Sequence, residues 1–148
     1  MTCADTGFLV SLYLREVTSP VALQTVGTLT EPISLTWLTI LEFENALLRA
    51  VFTKRITHEE AVAAKAQFDA NFKSGAYREE PVDCRTMSIE ASRLAARFTP
   101  FVGTRTLDLM HVAAASLLFC NCFLSFDDRQ RKVASALGLN VLPQTNAL

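Results

Sequence analysis

Short apolar runs alternate with helix-patterned stretches along the chain, and this alternation restricts its fold more than any other feature. Apolar, strand-like runs fall at residues 2–4, 33–35, 81–84, 122–126 and 139–142. Helical patterning fills the intervals at 7–16, 20–29, 37–53, 57–74, 87–98 and 104–119. A last helix is capped by Asp127 and stopped at Gly138. Strands buried on both faces read as continuous apolar runs, and parallel strands need a crossover, usually a helix, to connect them. The order β-α-α-β-α-α-β-α-α-β-α-β therefore predicts an α/β fold with a parallel sheet flanked by helices. Local signals agree. Thr57-His58-Glu59-Glu60 has the form of a capping box, and Gly75 can close the helix that it starts.

Composition narrows the class. The chain has 148 residues, half of them hydrophobic, and its mean hydropathy of +0.24 is high, as expected for elements buried on more than one face. No run approaches the roughly 18–20 uncharged apolar residues of a membrane span. Asp5 stands where a basic leader would precede an export signal, so a cytoplasmic protein is expected. Without repeats, low-complexity tracts or linkers, the chain reads as a single domain over residues 1–148. The four cysteines, Cys3, Cys84, Cys120 and Cys122, lack zinc-ligand spacing and the density of a disulfide scaffold; reduced, buried thiols are expected. The net charge of −1 advertises no nucleic-acid field, but setting aside four acids treated below leaves +3, which permits one.

Those acids carry the chemistry. In a parallel α/β sheet, ligands collect where strands end and helices begin. Asp5 and Asp127 occupy such points, although capping of the following helix accounts for a carboxylate there equally well. Glu42 and Asp108 lie inside apolar helices, where an ionised carboxylate is costly without a cation or several donors. A divalent ion shared among the acids would offset that cost; so would pairing with Arg49 or Arg105. Glu44 faces away from Glu42 and is expected in solvent, while Asp128 competes with Asp127 for the same helix start. Oxygen donors without paired histidine or cysteine favour Mg²⁺ or Mn²⁺ over zinc.

Four stretches in order resemble the PIN-domain family, particularly the VapC-like toxins of toxin–antitoxin pairs. They are Ala4-Asp5-Thr6-Gly7; Glu42-Phe43-Glu44-Asn45-Ala46-Leu47; Thr106-Leu107-Asp108 with His111 and Ala113; and Leu124-Ser125-Phe126-Asp127 with Gly138-Leu139-Asn140-Val141. The resemblance implies a three-layer fold with a five-stranded parallel sheet. It also implies a metal-dependent endoribonuclease acting on structured RNA such as tRNA or rRNA. Asp5, Glu42, Asp108 and Asp127 would be the Mg²⁺ or Mn²⁺ ligands and catalytic acids, with Thr6 and Ser125 orienting them. Arg129, Arg131 and Lys132 are candidate RNA-backbone contacts, and a solvated helix face is the competing reading. His111 is expected to hydrogen-bond within the core rather than act in catalysis. A small VapB-type antitoxin and a homodimer are the implied partners. Gly7 and Ser125 depart from the Ser or Asn and the Thr usual at those places.

Other chemistries fit less well. Asp5-Thr6-Gly7 is also the aspartic-protease triplet, but that chemistry needs an all-β lobe. An aspartyl phosphotransferase wants an acid where Gly7 stands, a receiver domain wants clustered acids and a late lysine, and His58-Glu59-Glu60 lacks the second histidine of a zinc protease. The alternatives carried forward are a PIN-like scaffold that binds RNA or protein without cutting, and a housekeeping PIN nuclease.

Overall fold

The computed structural model describes residues 1–144. Its elements run β1 (Thr2–Ala4), α1 (Thr6–Ser11), α2 (Ser19–Val26), β2 (Ile33–Leu35), α3 (Trp37–Phe52) and α4 (His58–Lys73). They continue with β3 (Tyr77–Glu79), α5 (Cys84–Val102), α6 (Thr106–Leu117), β4 (Cys122–Leu124), α7 (Asp128–Ala136) and β5 (Asn140–Leu142). The strands form one all-parallel, five-stranded sheet in the order β3-β2-β1-β4-β5. Connections run outward in opposite directions from the β1/β4 pair, which makes its carboxyl end the crevice where such sheets bind ligands.

Side-chain alternation along the strands divides the core in two. Ala4 and Leu124 pack with Phe8, Phe43, Leu47 and Phe68 on one face. Cys3 and Phe123 pack with Met87, Leu94, Val112 and Val133 on the other. This three-layer arrangement explains the hydropathy, because a strand covered on both sides carries no polar face. On α3, Thr39, Phe43, Leu47 and Ala50 form the buried stripe. Glu42 is one residue, about 100°, off that stripe, at the border between core and cleft. The α4 capping box forms as expected, with Glu60 N–H donating to Thr57 Oγ1 at 3.1 Å and Thr57 N–H donating to Glu60 Oε2 at 2.7 Å. Among the described residues no helix is long and apolar enough to cross a membrane.

Three expectations are corrected. The third strand is Tyr77–Glu79, not 81–84. As an edge strand it buries only Tyr77, so its sequence lacks an apolar run. The ladder ends after Glu80 N–H donates to Leu35 O at 2.8 Å, because Pro81 has no N–H to continue it. Asp83 then caps α5 by accepting from Thr86 N–H at 2.7 Å, which turns Cys84 from a strand residue into the first residue of a longer helix. The cysteines are also not all reduced and buried. Cys3 and Cys120 form a disulfide, their Cα atoms 6.3 Å apart, and Cys84 is exposed; Cys122 alone is a buried thiol. The two cysteines are 117 residues apart in sequence and meet because β1 pairs with β4, a proximity that cysteine spacing cannot reveal. Finally, α1 stops at Ser11 rather than near residue 16, and the next residues turn into a loop that places Glu16 beside the acidic cleft.

Candidate active site

A cleft of about 360 Å³ opens at the crevice, and Asp5, Glu42, Asp108 and Asp127 all line it. Each acid reaches it by a different local device. Asp5 follows β1 and caps α1, its Oδ1 accepting from Phe8 N–H at 2.7 Å. Its Oδ2 accepts from the Ser125 hydroxyl at 2.6 Å, and Ser125 Oγ in turn accepts from Asp127 N–H at 3.0 Å. The fully buried Ser125 thus ties the ends of β1 and β4 together beneath the cleft. Asp127 caps α7 through Oδ1, which accepts from Arg129 and Gln130 N–H at 2.9 Å each. The other oxygen, Oδ2, is left toward the cleft.

Asp108 stands in the first turn of α6, 6% exposed. Its Oδ2 accepts from Arg105 N–H at 3.2 Å and from Arg105 Nε–H at 3.0 Å. Gln130 Nε2 donates to its Oδ1 at 3.4 Å. Glu42 Oε2 accepts from Thr6 Oγ1 at 2.7 Å and from His111 Nε2. Burial alone pushes the Glu42 carboxyl upward, but hydrogen bonds from His111 and Thr6 and the imidazole's charge hold it below its ordinary value. His111 is buried, as expected, yet it lines the cleft and carries Glu42, so it belongs to the site and not only to the core.

Thr6 lines the cleft against Glu42. Asp128 and Arg129 are exposed at the start of α7, outside the cleft lining, and Lys132 is exposed further along it. Arg131 is engaged by backbone, donating to Ser125 O at 2.6 Å and Pro143 O at 2.8 Å, so its guanidinium braces the end of β4. Glu44 is half-exposed and pairs with Lys65 at 3.3 Å. Glu42 pairs with His111 rather than with Arg49. Sequence reasoning did not single out Glu16 or Gln130, which also line the cleft, and considered Arg105 only as a pairing alternative. Gln130 carries a readable signal, since it is the third residue after the Asp127 cap. Glu16 carries none, because a loop positions it.

The donor chemistry of the cleft suits a hard divalent cation. Five carboxylates face it with Arg105 and His111 as the positively charged or ionisable nitrogen groups. Burial raises the Asp5 carboxyl above its ordinary value, against the hydrogen bonds from Ser125 and Phe8; the nearby Asp127 charge raises it further. Gln130 Oε1 is buried with no hydrogen-bond partner among the described residues. Turning that amide over would set oxygen against the Asp108 carboxylate, so the orphaned acceptor is intrinsic to the site. Among the described residues, however, no three carboxylate, imidazole or thiol groups form a ready-made ion cage. The guanidinium of Arg105, 3.0 Å from Asp108 and 4.0 Å from Asp127, lies between two of the acids. The residues fit a divalent ion provided that Arg105 gives way.

The raised Asp5 carboxyl has a consequence for stability. An acid whose folded pKa is raised favours the fold while it is protonated, and that contribution is lost as pH rises through the folded value. In metal-free protein at pH 7, Asp5→Asn removes this burial cost and keeps the helix cap. The variant is expected to melt about 2–4 °C above wild type at neutral pH, with the gap closing as the pH is lowered toward the acid range. A lower melting temperature for the variant at pH 7 would contradict the assignment.

No protein-family model matches the chain, and no curated protein matches it by sequence. Its fold is matched among solved structures. VapC20 from Mycobacterium tuberculosis, described as a sarcin-ricin loop cleaving toxin, superposes with a TM-score of 0.69 at 19% identity, over 94% of this chain and 96% of that one. The chain has a VapC-like, PIN-type α/β fold. FitAcB from Neisseria gonorrhoeae gives a TM-score of 0.66 at 11% identity, covering 97% of both chains. VapBC2 from Rickettsia felis, bound to a DNA fragment from their promoter, gives 0.64 at 10% identity over 95% of this chain and 97% of that one. The VapC-like sheet is the scaffold that sets the carboxyl ends of β1 and β4 side by side, and with them Asp5 and Asp127.

Proposed function

We propose that the protein is an endoribonuclease that hydrolyses RNA phosphodiesters with Mg²⁺ or Mn²⁺, as the toxin of a toxin–antitoxin pair. The observation that supports this reading is the convergence of Asp5, Glu42, Asp108 and Asp127 on one cleft of a fold shared with an RNA-cleaving toxin. Asp5, Asp108 and Asp127 would hold the ion. A bound divalent ion lowers the pKa of a water and offsets charge on the phosphate. Glu42, kept ionised by His111 and Thr6, would accept a proton from an attacking water. Ser125 would orient the Asp5 carboxylate through its hydroxyl and set the spacing to Asp127 by accepting from that residue's backbone N–H. Exposed Arg129 and Lys132 beside the cleft would contact the RNA backbone, while Arg131 holds the strand end that carries Asp127.

A small VapB-type protein is the proposed antitoxin and a homodimer the proposed assembly, in keeping with the VapBC complex that shares the fold. The test is cleavage of structured RNA, including tRNA and rRNA, by protein stripped of metal and then given Mg²⁺ or Mn²⁺. Cleavage that appears only with the ion is expected, and cleavage unaffected by EDTA would refute the mechanism. Expression should arrest growth, with rescue by the product of a neighbouring gene. Cleavage without growth arrest would identify a housekeeping nuclease instead.

The placement of Arg105 favours one second reading, a scaffold that binds RNA or a partner without cutting, because a protein cation already compensates Asp108. Tight Mn²⁺ binding with no cleavage across an RNA panel would select it.

A further inference from the structure

We propose that Arg105 is a resident counter-cation of the acidic cleft: it holds Asp108 and Asp127 in the metal-free protein and turns outward when a divalent ion enters. The inference rests on the reading of the cleft as a divalent-metal site. The guanidinium reaches two carboxylates, one on α6 and one on the residue that caps α7. Its Nε donates to Asp108 Oδ2 at 3.0 Å and its Nη2 reaches Asp108 Oδ1 at 3.5 Å, while the same Nη2 lies 4.0 Å from Asp127 Oδ2. Asp108 is almost fully buried, so it cannot exchange this cation for water without another positive charge taking its place.

Arg105 itself is built to leave. Its side chain is 70% exposed, and among the described residues its ion-pair partners are Asp108 and Asp127 alone. Turning into solvent therefore moves a side chain that is already mostly exposed. The backbone keeps its role when the side chain goes, because Arg105 N–H also donates to Asp108 Oδ2 at 3.2 Å. That capping-box contact holds the carboxylate in position for a new cation. A divalent ion between the same two carboxylates would meet the guanidinium at a few ångströms, where repulsion between like charges is strong. The two cations exclude each other, and Arg105 sets the metal concentration at which the acids become a metal site.

The experiment is calorimetric titration of metal-stripped protein with MnCl₂, comparing wild type, Arg105→Ala and Arg129→Ala. Arg129 is a cation beside Asp127 whose guanidinium, among the described residues, forms no ion pair with either carboxylate, so its removal measures the general field of the surface. Arg105→Ala is expected to bind Mn²⁺ about tenfold tighter than wild type and Arg129→Ala less than about threefold tighter. Equal affinities in wild type and Arg105→Ala would overturn the displacement while leaving the metal site standing. An equal gain in Arg129→Ala would replace it with a simple field effect. Absence of Mn²⁺ binding in both wild type and Arg105→Ala would overturn it together with the metal reading. A measurement on the unmutated protein is independent of folding of the variants. The Arg105 Nε–H resonance should move to the position of a solvent-exposed arginine on saturation with Mg²⁺. An unchanged resonance, when the Gln130 amide shows that the ion has bound, would overturn the proposal.

Discussion

Asp108→Asn is expected to lower metal-dependent RNA cleavage by more than about 100-fold, since residues that merely orient a metal ligand already cost about 10- to 100-fold when lost. The variant stays folded. Asparagine retains an oxygen to accept the Arg105 N–H bond that starts α6, now 3.2 Å long, and it removes a buried charge rather than creating one. Single-turnover cleavage of a labelled structured RNA, with circular dichroism as the folding control, measures the effect. Asp128→Asn is the matched comparison. That carboxylate is exposed one residue beyond Asp127 and outside the cleft lining, so near wild-type cleavage is expected. A folded Asp108→Asn protein that keeps a third or more of the activity would remove Asp108 from the chemistry.

Phe43→Ala is expected to destabilise the protein by about 3–5 kcal/mol, a large part of the roughly 5–15 kcal/mol available to a domain. Phe43 is fully buried in an aromatic cluster, its ring centroid 4.4 Å from Phe68 and 5.1 Å from Tyr13. Phe68 extends the cluster to Phe72 and Tyr77, which joins α3, α4 and β3. Truncation leaves a cavity that rigid neighbours from α4, β3 and the loop after α1 cannot collapse into. Urea denaturation should show a lower midpoint with an unchanged slope. A loss below about 1 kcal/mol would mean that the cluster does not anchor α3. Glu42 is the preceding residue, so the same truncation should loosen its contact with His111 and reduce cleavage in protein that is still folded.

Much of the architecture was legible because local rules and burial agreed. The order of twelve elements follows from apolar runs and caps, including the Thr57 capping box and the Asp127 cap. The third strand was not legible, because Tyr77–Glu79 lies at the sheet edge and buries one side chain in three. The start of α5 was missed for a related reason: Cys84 reads as part of an apolar run until Asp83 is recognised as a cap. The Cys3–Cys120 link was invisible, since only the β1–β4 ladder brings those residues together.

The four acids were legible as types and places: two at strand ends and two on apolar helices. Their partners were not. Pairing of Asp108 with Arg105 follows from an i,i+3 helix spacing and stood as one of two open readings. Pairing of Glu42 with His111 crosses between α3 and α6 and had no local signal, so His111 read as a core residue.

By itself, then, the sequence determined the α/β class, the caps at Thr57 and Asp127 and the positions of Asp5, Glu42, Asp108 and Asp127, because each of these rests on periodicity or on residues within one turn. Only the tertiary structure decided that the four acids share a cleft, that Ser125 joins two of them and that Arg105 stands between Asp108 and Asp127. Those facts depend on the order in which five strands pair. Backbone hydrogen bonding between strands is indifferent to sequence distance, and it turns separated turns into neighbours that no local pattern encodes.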